Sequence, residues 1–172
     1  MRLTILLFSL TAFTIAPAGL AYPPTLKTPA PVIYLADNLD EANNLGWCID
    51  TQGRGFSDKL HAHSCKPQGG DVQFSLNDET GQIMSVAFAN FCMEYQPDAD
   101  DPFGLVACNS DSAAQRFKFD TTTSHLSLAD QSTQCIVVGN TSRPAGPFMS
   151  RDLLLADCSS TRPELRKWVV MR

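Results

Sequence analysis

The sequence is poor in charge and has no cluster of basic residues. Only 18% of its 172 residues are charged, and the 18 acidic side chains outnumber the 13 from Lys and Arg, which leaves a net charge of −5. Because affinity for a phosphate backbone requires clustered positive charge, nucleic acid is not an expected partner. Hydrophobic residues make up 44% of the chain, so it can build a core and wholesale disorder is not expected.

The usual signatures of a hydrolase or a zinc site are also missing. There is no Gly-x-Ser-x-Gly motif, and no two of the six cysteines lie closer than 16 residues. Structural zinc sites use cysteines only two to four residues apart. All six cysteines are expected to pair, which leaves no free thiol nucleophile. We therefore expect no enzyme, no cofactor and no metal site.

No hydrophobic run is long enough to span a bilayer. The longest, Leu3–Ala16, has 14 residues, against about 20 for a transmembrane helix. It follows Arg2 and precedes the small-residue segment Ala18–Ala21. This order is typical of a secretory signal peptide. Residues 1–21 are therefore predicted to be removed by cleavage after Ala21, which places the protein outside the cytoplasm, in the extracellular space or the periplasm.

A proline-rich leader comes next. Residues 22–31 contain four prolines, each of which fixes φ and removes a backbone donor. We expect an extended segment that belongs to no sheet or helix. The folded domain is predicted to cover residues 32–172.

The cysteines repeat three times along that domain. The first cysteine of each pair recurs after 44 and 43 residues, and the second recurs after 43 and 50. The longer last interval coincides with an insertion, residues 139–150, whose Gly, Pro, Ser and Asn content predicts a loop. The three pairs are Cys48 with Cys65, Cys92 with Cys108, and Cys135 with Cys158.

Short strand-like segments recur with the cysteines. One precedes each first cysteine, one contains it, one leads into the second cysteine, and one is anchored by an aromatic residue, Phe74, Phe117 or Trp168. Turn residues separate these segments, and no sustained 3.6-residue apolar period is present. The pattern predicts an all-β domain of twelve short strands in three repeats packed around one core.

Six cysteines allow 15 pairings, and the sequence alone does not choose among them. The threefold repeat favours three disulfides within the repeats, because the same pairing of first and second cysteine then occurs in all three units. Each would close a loop of roughly 15–25 residues and contribute about 3 kcal/mol in the chain-entropy model.

These features resemble the ricin-type (R-type) β-trefoil lectin family over residues 32–172. Trp47–Asp50 is similar to the family's Cys-[Leu/Ile/Val]-Asp element, and Gln115–Phe117 to its Gln-x-Trp element. The resemblance implies a β-trefoil fold and sugar binding, often of galactose or N-acetylgalactosamine, in one shallow pocket per repeat. The first and third repeats lack the glutamine of the Gln-x-Trp element.

The resemblance also implies the pocket residues. The family carboxylate follows the first cysteine by two positions, where the three repeats have Asp50, Glu94 and Val137. A stacking ring two positions before the second cysteine is offered only by His63. A polar residue before the Gln-x-Trp element is offered only by Asp71. The first repeat is therefore the predicted carbohydrate-binding site, with help from His61, and Glu94 marks a second candidate.

The sequence thus predicts a secreted carbohydrate-binding module that recognises glycans, of the galactose type if it follows the family. Two alternatives remain open at this stage. The trefoil could instead be a scaffold for a protein partner, as in a toxin accessory subunit or an inhibitor, without sugar affinity. His61 and His63 lie on one face of a strand and with Asp50 or Asp71 could hold a metal, but no spacing supports a third ligand.

Overall fold

The computed structural model describes residues 22–172, so the predicted signal peptide lies outside the described residues. Fourteen β-strands and two short 3₁₀ turns make up this part of the chain. The first repeat contains β1 (Val32–Leu35), β2 (Trp47–Thr51), β3 (Leu60–Ser64) and β4 (Phe74–Leu76). The second contains β5 (Ile83–Ser85), β6 (Phe91–Tyr95), β7 (Phe103–Ala107) and β8 (Phe117–Asp120). The third contains β9 (His125–Leu128), β10 (Gln131–Val138), β11 (Arg143–Ala145), β12 (Phe148–Arg151), β13 (Leu153–Asp157) and β14 (Trp168–Met171).

The strands form three equivalent sheets. Each sheet joins the last strand of one repeat to three strands of the next, in the orders β14-β1-β2-β3, β4-β5-β6-β7 and β8-β9-β10-β13, and β12 and β11 extend the first of them to six strands. The predicted all-β, threefold β-trefoil architecture is confirmed. No repeat could bury its apolar face alone, because each contributes its last strand to a neighbour's sheet.

The core lies where the three repeats meet. The three repeated aromatics, Phe74, Phe117 and Trp168, are all buried there, as the sequence predicted. Trp168 Nε1 donates to the carbonyl of Ile136 at 2.7 Å, so its polar atom is satisfied inside the core. All three disulfides form within repeats, Cys48–Cys65, Cys92–Cys108 and Cys135–Cys158, and they confirm the predicted pairing.

The insertion in the third repeat differs from the sequence prediction. Residues 139–150 were expected to form a loop, but β11 and β12 make a hairpin that raises the strand count from twelve to fourteen. Gly146 and Pro147 separate the paired residues Ala145 and Phe148. Gly146 has φ +64°, a conformation that the favoured two-residue hairpin turns require. β12 also pairs with β3 of the first repeat, which fixes the hairpin against another unit.

The leader is extended along the domain. Residues 22–31 form no strand or helix, but their polar groups are bound. Thr25 N donates to the carbonyl of Asn44 at 2.8 Å, and Thr28 Oγ1 donates to the carbonyl of Lys66 at 2.9 Å. No helix within residues 22–172 is long and apolar enough to cross a membrane.

Candidate functional site

The three predicted pocket positions are structurally equivalent. In the hairpin that carries each disulfide, the position two residues after the first cysteine pairs with the position four residues before the second. The pairs are Asp50 with His61, Glu94 with Gly104, and Val137 with Leu154. The three hairpins share one register, so their side chains can be compared position by position.

Asp50 lies beneath the first-repeat site and is fully buried, with 0% of its surface exposed. Its neighbour on β2 is the disulfide-bonded Cys48, and β3 covers it on one side. Lys66 Nζ lies 2.8 Å from Asp50 Oδ2. Burial raises the pKa of Asp50 to about 7, although the ammonium of Lys66 and a backbone N–H act in the opposite direction.

Lys66 bridges two carboxylates at the base of the site. Its Nζ is 2.7 Å from Asp71 Oδ1 as well as close to Asp50. Burial lowers the pKa of Lys66, but the hydrogen bonds and charges of both carboxylates outweigh it and the net pKa is raised. The residue predicted as the sugar's primary acceptor is thus already held by a lysine, which the sequence interpretation missed.

The two histidines lie side by side above Asp50. Their ring centroids are 5.3 Å apart, and both side chains are nearly buried. Burial, followed by His63 and nearby cationic side chains, lowers the pKa of His61 to about 4. Burial also lowers the pKa of His63. Both rings are therefore neutral at pH 7.

Neutral imidazoles can offer acceptors to a ligand. His63 Nδ1 lies 2.9 Å from the carbonyl of Ser64. Because a carbonyl can only accept, Nδ1 carries the proton and Nε2 is the ring's acceptor. His61 Nε2 and Asp50 Oδ1 are buried and have no hydrogen-bond partner among residues 22–172, so the site contains unsatisfied polar atoms.

A cavity of about 540 Å³ opens over these side chains. His61, His63, Lys66 and Asp71 line it, and Asp50 does not. The third-repeat hairpin contributes residues 145–148 to the lining, and the loop after β2 contributes Arg54. This cavity therefore combines a polar floor from one repeat with a wall from another.

Phe148 is the ring that the sequence interpretation missed. It belongs to the hairpin wall, and its ring centroid lies 5.5 Å from that of His63 in an edge-to-face arrangement. The hairpin is held against the first repeat because Met149 N donates to Ser64 Oγ at 3.1 Å and Ser64 Oγ donates to buried Glu41 at 2.8 Å. Phe148 was missed because the insertion was interpreted as a loop.

The second repeat uses its carboxylate internally. Glu94 Oε2 accepts from Gln115 Nε2 at 3.0 Å and from Ser112 Oγ at 3.4 Å. The side chain of Gln96 lies within 2.7–2.9 Å of where a Cβ on Gly104 would stand. Glu94 therefore lies apart from the four polar residues of the first-repeat cavity and is bonded within its own unit.

The third repeat has an apolar floor at the same place. Its cavity, of about 360 Å³, is lined by Val137, Leu154, Ala156 and Leu165, with Asn140 and Arg162 among the polar residues at its edge. None of the four floor residues can accept a hydrogen bond through its side chain.

One metal-like grouping occurs within the part of the chain that the structure describes, and it carries no chemistry. His125 lies near Cys135 and Cys158, but the two sulfurs are bonded to each other. His61 and His63 are not part of any such grouping of three among residues 22–172.

The family model for the ricin-type β-trefoil lectin domain matches residues 39–168. The chain belongs to this family. The match includes all three disulfide hairpins and both cavities of this ricin-type lectin domain. No curated protein matches the sequence significantly.

Solved structures of lectins share the fold. A non-toxic homologue of type II RIPs from Momordica charantia (bitter gourd), in complex with α-methyl-D-galactoside, has a TM-score of 0.58 at 14% identity, covering 82% of this chain and 47% of that one. The agglutinin from Abrus precatorius has a TM-score of 0.54 at 13% identity, covering 85% and 48%. This ricin-type domain thus spans about half the length of either structure.

A bacterial structure is similar over nearly its whole length. The β-trefoil lectin of the Vibrio vulnificus haemolysin/cytolysin, with N-acetyl-D-lactosamine bound, has a TM-score of 0.51 at 15% identity, covering 81% of this chain and 90% of that one. At these identities the similarity establishes the fold alone.

Proposed function

We propose that this domain is an exported lectin that binds glycans of the galactose type in the first-repeat cavity. The observation that carries the proposal is the cavity itself, which His61, His63 and Asp71 line together with the aromatic ring of Phe148. A sugar ring has hydroxyl edges and an apolar face, so a site for it needs polar acceptors opposite an aromatic surface.

The side chains divide into those that contact the sugar and those that hold them in place. We assign hydroxyl recognition to the histidine rings and Asp71. Phe148 supplies the apolar contact. Asp50 is a positioning residue because it is fully buried and acts through Lys66.

Two further features support the proposal. Sugars are bound in two of the similar structures, a methyl galactoside in one and N-acetyl-D-lactosamine in the other. Three disulfides are expected of a protein that folds in an oxidising compartment, so we place the lectin in the extracellular space or the periplasm. Because the cavity is open, we expect weak binding per site and a need for multivalent display.

A glycan array with the chain from Tyr22 onward tests the proposal. We expect binding to multivalent N-acetyl-D-lactosamine and α-galactosides, and none to glucosides or mannosides. Asp71→Asn removes a charged acceptor from the cavity and is expected to lower the signal at least tenfold. Asp98→Asn, in an exposed loop of the second repeat, is the matched control.

Two results would contradict the assignment. A silent array with a folded protein, together with a specific protein partner in a pull-down, would favour the scaffold alternative. Loss of binding in Glu94→Gln but not in Asp71→Asn would move the site to the second repeat, where Glu94 was the other predicted residue.

A further inference from the structure

The leader is anchored at its first described residue. Tyr22 N donates to Asp37 Oδ2 at 3.0 Å, and the carbonyl of Tyr22 accepts from Asn38 N at 2.6 Å. Pro24 packs closely over Gly46, since a Cβ there would lie 2.8 Å from the Pro24 ring. Hydrogen bonds and close packing therefore both hold the start of the leader against residues 37–46.

Asp37 is a buried carboxylate whose oxygens accept hydrogen bonds from backbone N–H groups only. Only 8% of the residue is exposed, and its second oxygen accepts from Leu39 N at 2.8 Å. No Lys, Arg or His side chain within residues 22–172 forms an ion pair with it. Burying a carboxylate without a cation is costly.

Neighbouring acids in the same segment show the difference. Asp40 pairs with the guanidinium of Arg151. Buried Glu41 has no cation but accepts three hydrogen bonds, from two backbone amides and the Ser64 hydroxyl. Asp37 has two donors, and one of them is the backbone nitrogen of Tyr22.

We infer that proteolytic processing between Ala21 and Tyr22 creates the missing cation, and that Asp37 is the binding site for the new α-ammonium group of Tyr22. Hydrolysis consumes one water. The carboxylate leaves with residues 1–21, and the amine that remains on Tyr22 takes up a proton. The neutral N–H···carboxylate contact thereby becomes a charge-assisted one.

This inference links export to the seating of the leader. Within the leader, the stretch that begins at Tyr22 reaches Thr28, whose hydroxyl donates to the carbonyl of Lys66. The ammonium group would thus fix one end of a segment whose other end lies at the base of the cavity. The inference does not depend on whether the cavity binds sugar.

The first experiment locates the processed end. The full chain is expressed in a secretion-competent bacterial host, and the exported protein is analysed by intact mass and N-terminal sequencing. We expect Tyr22 as the first residue. An N-terminus at any other position would overturn the inference.

The second experiment measures the ion pair by NMR titration of the α-amino group in the chain that starts at Tyr22. We expect it to titrate about one pH unit higher than in Asp37→Asn, which is a tenfold change in proton affinity. Asp78→Asn, an exposed acid elsewhere, should leave the midpoint unchanged. Equal midpoints in the wild type and in Asp37→Asn would overturn the inference.

A chain extended by Gly-Ser before Tyr22 covers the case in which Asp37→Asn does not fold. This chain retains Asp37 and an amide at Tyr22 but displaces the ammonium. Because the ion pair raises the proton affinity of the amine, its stabilisation is present at neutral pH and is lost as pH rises through the amine's titration. We expect the unextended chain to melt higher at pH 6 and equally at pH 10. Equal melting at both pH values would contradict the ion pair.

Discussion

The first-repeat and third-repeat cavities have the same backbone frame but opposite floors. In both, a disulfide closes a hairpin of the same register. The first has the buried Asp50 and the partly buried Lys66 where the third has Val137 and the exposed Ser159. The frame therefore does not determine the chemistry of its cavity, since one sheet geometry accommodates either a buried ion pair or an apolar surface.

The hairpin makes the second difference between the cavities. The hairpin belongs to the third repeat in sequence, but it packs against the first repeat, where β12 pairs with His63 and Ala62 of β3. The repeat that supplies the wall thus keeps an apolar pocket of its own. Sequence symmetry alone would have assigned the insertion to its own repeat.

Placing a carboxylate at the third-repeat position equivalent to Asp50 should have the largest effect on stability. Val137→Asp places a carboxylate at a buried position without a cation, and we expect a loss of about 3 kcal/mol or more in unfolding free energy. Adding Ser159→Lys, the counterpart of Lys66, should restore part of it. Urea denaturation of the single and double variants measures the coupling. Full additivity would contradict the equivalence of the two sites.

Removing the contacts of Arg151, the last residue of β12, should have the next largest effect on stability. Arg151 is buried, lies 4.8 Å over the Trp47 ring and pairs with Asp40. Arg151→Ala is expected to destabilise the fold by about 2–3 kcal/mol.

Arg143→Ala is the matched control for that variant. Arg143 also pairs with an aspartate, but on the surface, with both side chains about half exposed. We expect Arg143→Ala to lower the free energy of unfolding by less than about 1 kcal/mol. Similar losses for both variants, measured by urea denaturation, would show that burial does not distinguish them.

Removing the aromatic wall tests whether the hairpin matters for binding. Phe148→Ala should weaken glycan binding about tenfold, or about 1.4 kcal/mol, while the half-buried position keeps the loss of stability small. Phe56→Ala, at an exposed phenylalanine that does not itself line the cavity, should not change binding. Calorimetric titration with N-acetyl-D-lactosamine compares them, and unchanged binding in Phe148→Ala would remove the ring from the site.

A pH-dependent difference in stability should be the smallest effect. The folded-state pKa of His61 is about 4, below that of the unfolded chain, so wild-type stability is lost as pH falls from about 6.5 to 4. His61→Gln has no imidazole to titrate, so its unfolding free energy should rise relative to that of the wild type by on the order of 1 kcal/mol over that interval. Leu154→Gln, at the equivalent third-repeat position, should change the unfolding free energy by the same amount at every pH in this interval. A constant difference for His61→Gln would contradict the lowered pKa.

The fold could be predicted because its determinants are local and repeated. The cysteine intervals and the aromatics Phe74, Phe117 and Trp168 mark the same positions three times, and each disulfide closes a short loop. The register in each hairpin follows from those anchors. His63 could be predicted from its offset to Cys65 and Asp71 from its place before the Gln-x-Trp element, and the structure brings both with His61 to one cavity.

The rest of the site depends on contacts between distant segments. Whether Asp50 faces a ligand or a lysine depends on the path of the chain after Cys65, which no periodicity records. The place of Phe148 depends on pairing between β12 and β3, across more than eighty residues. The composition of residues 139–150 predicted a loop, and it did not indicate which repeat this segment would contact.

The contact between Met149 and Ser64 has a consequence for recombination between trefoil genes. Crossover at repeat boundaries would carry the floor of the first cavity into a new protein without its wall, because the wall is encoded 85 residues downstream. A chimera made by exchanging single repeats would inherit the histidines and the aspartates of the cavity but not the hairpin residues that complete its lining. Only a transfer that includes both the first repeat and the third-repeat hairpin would keep the enclosure intact.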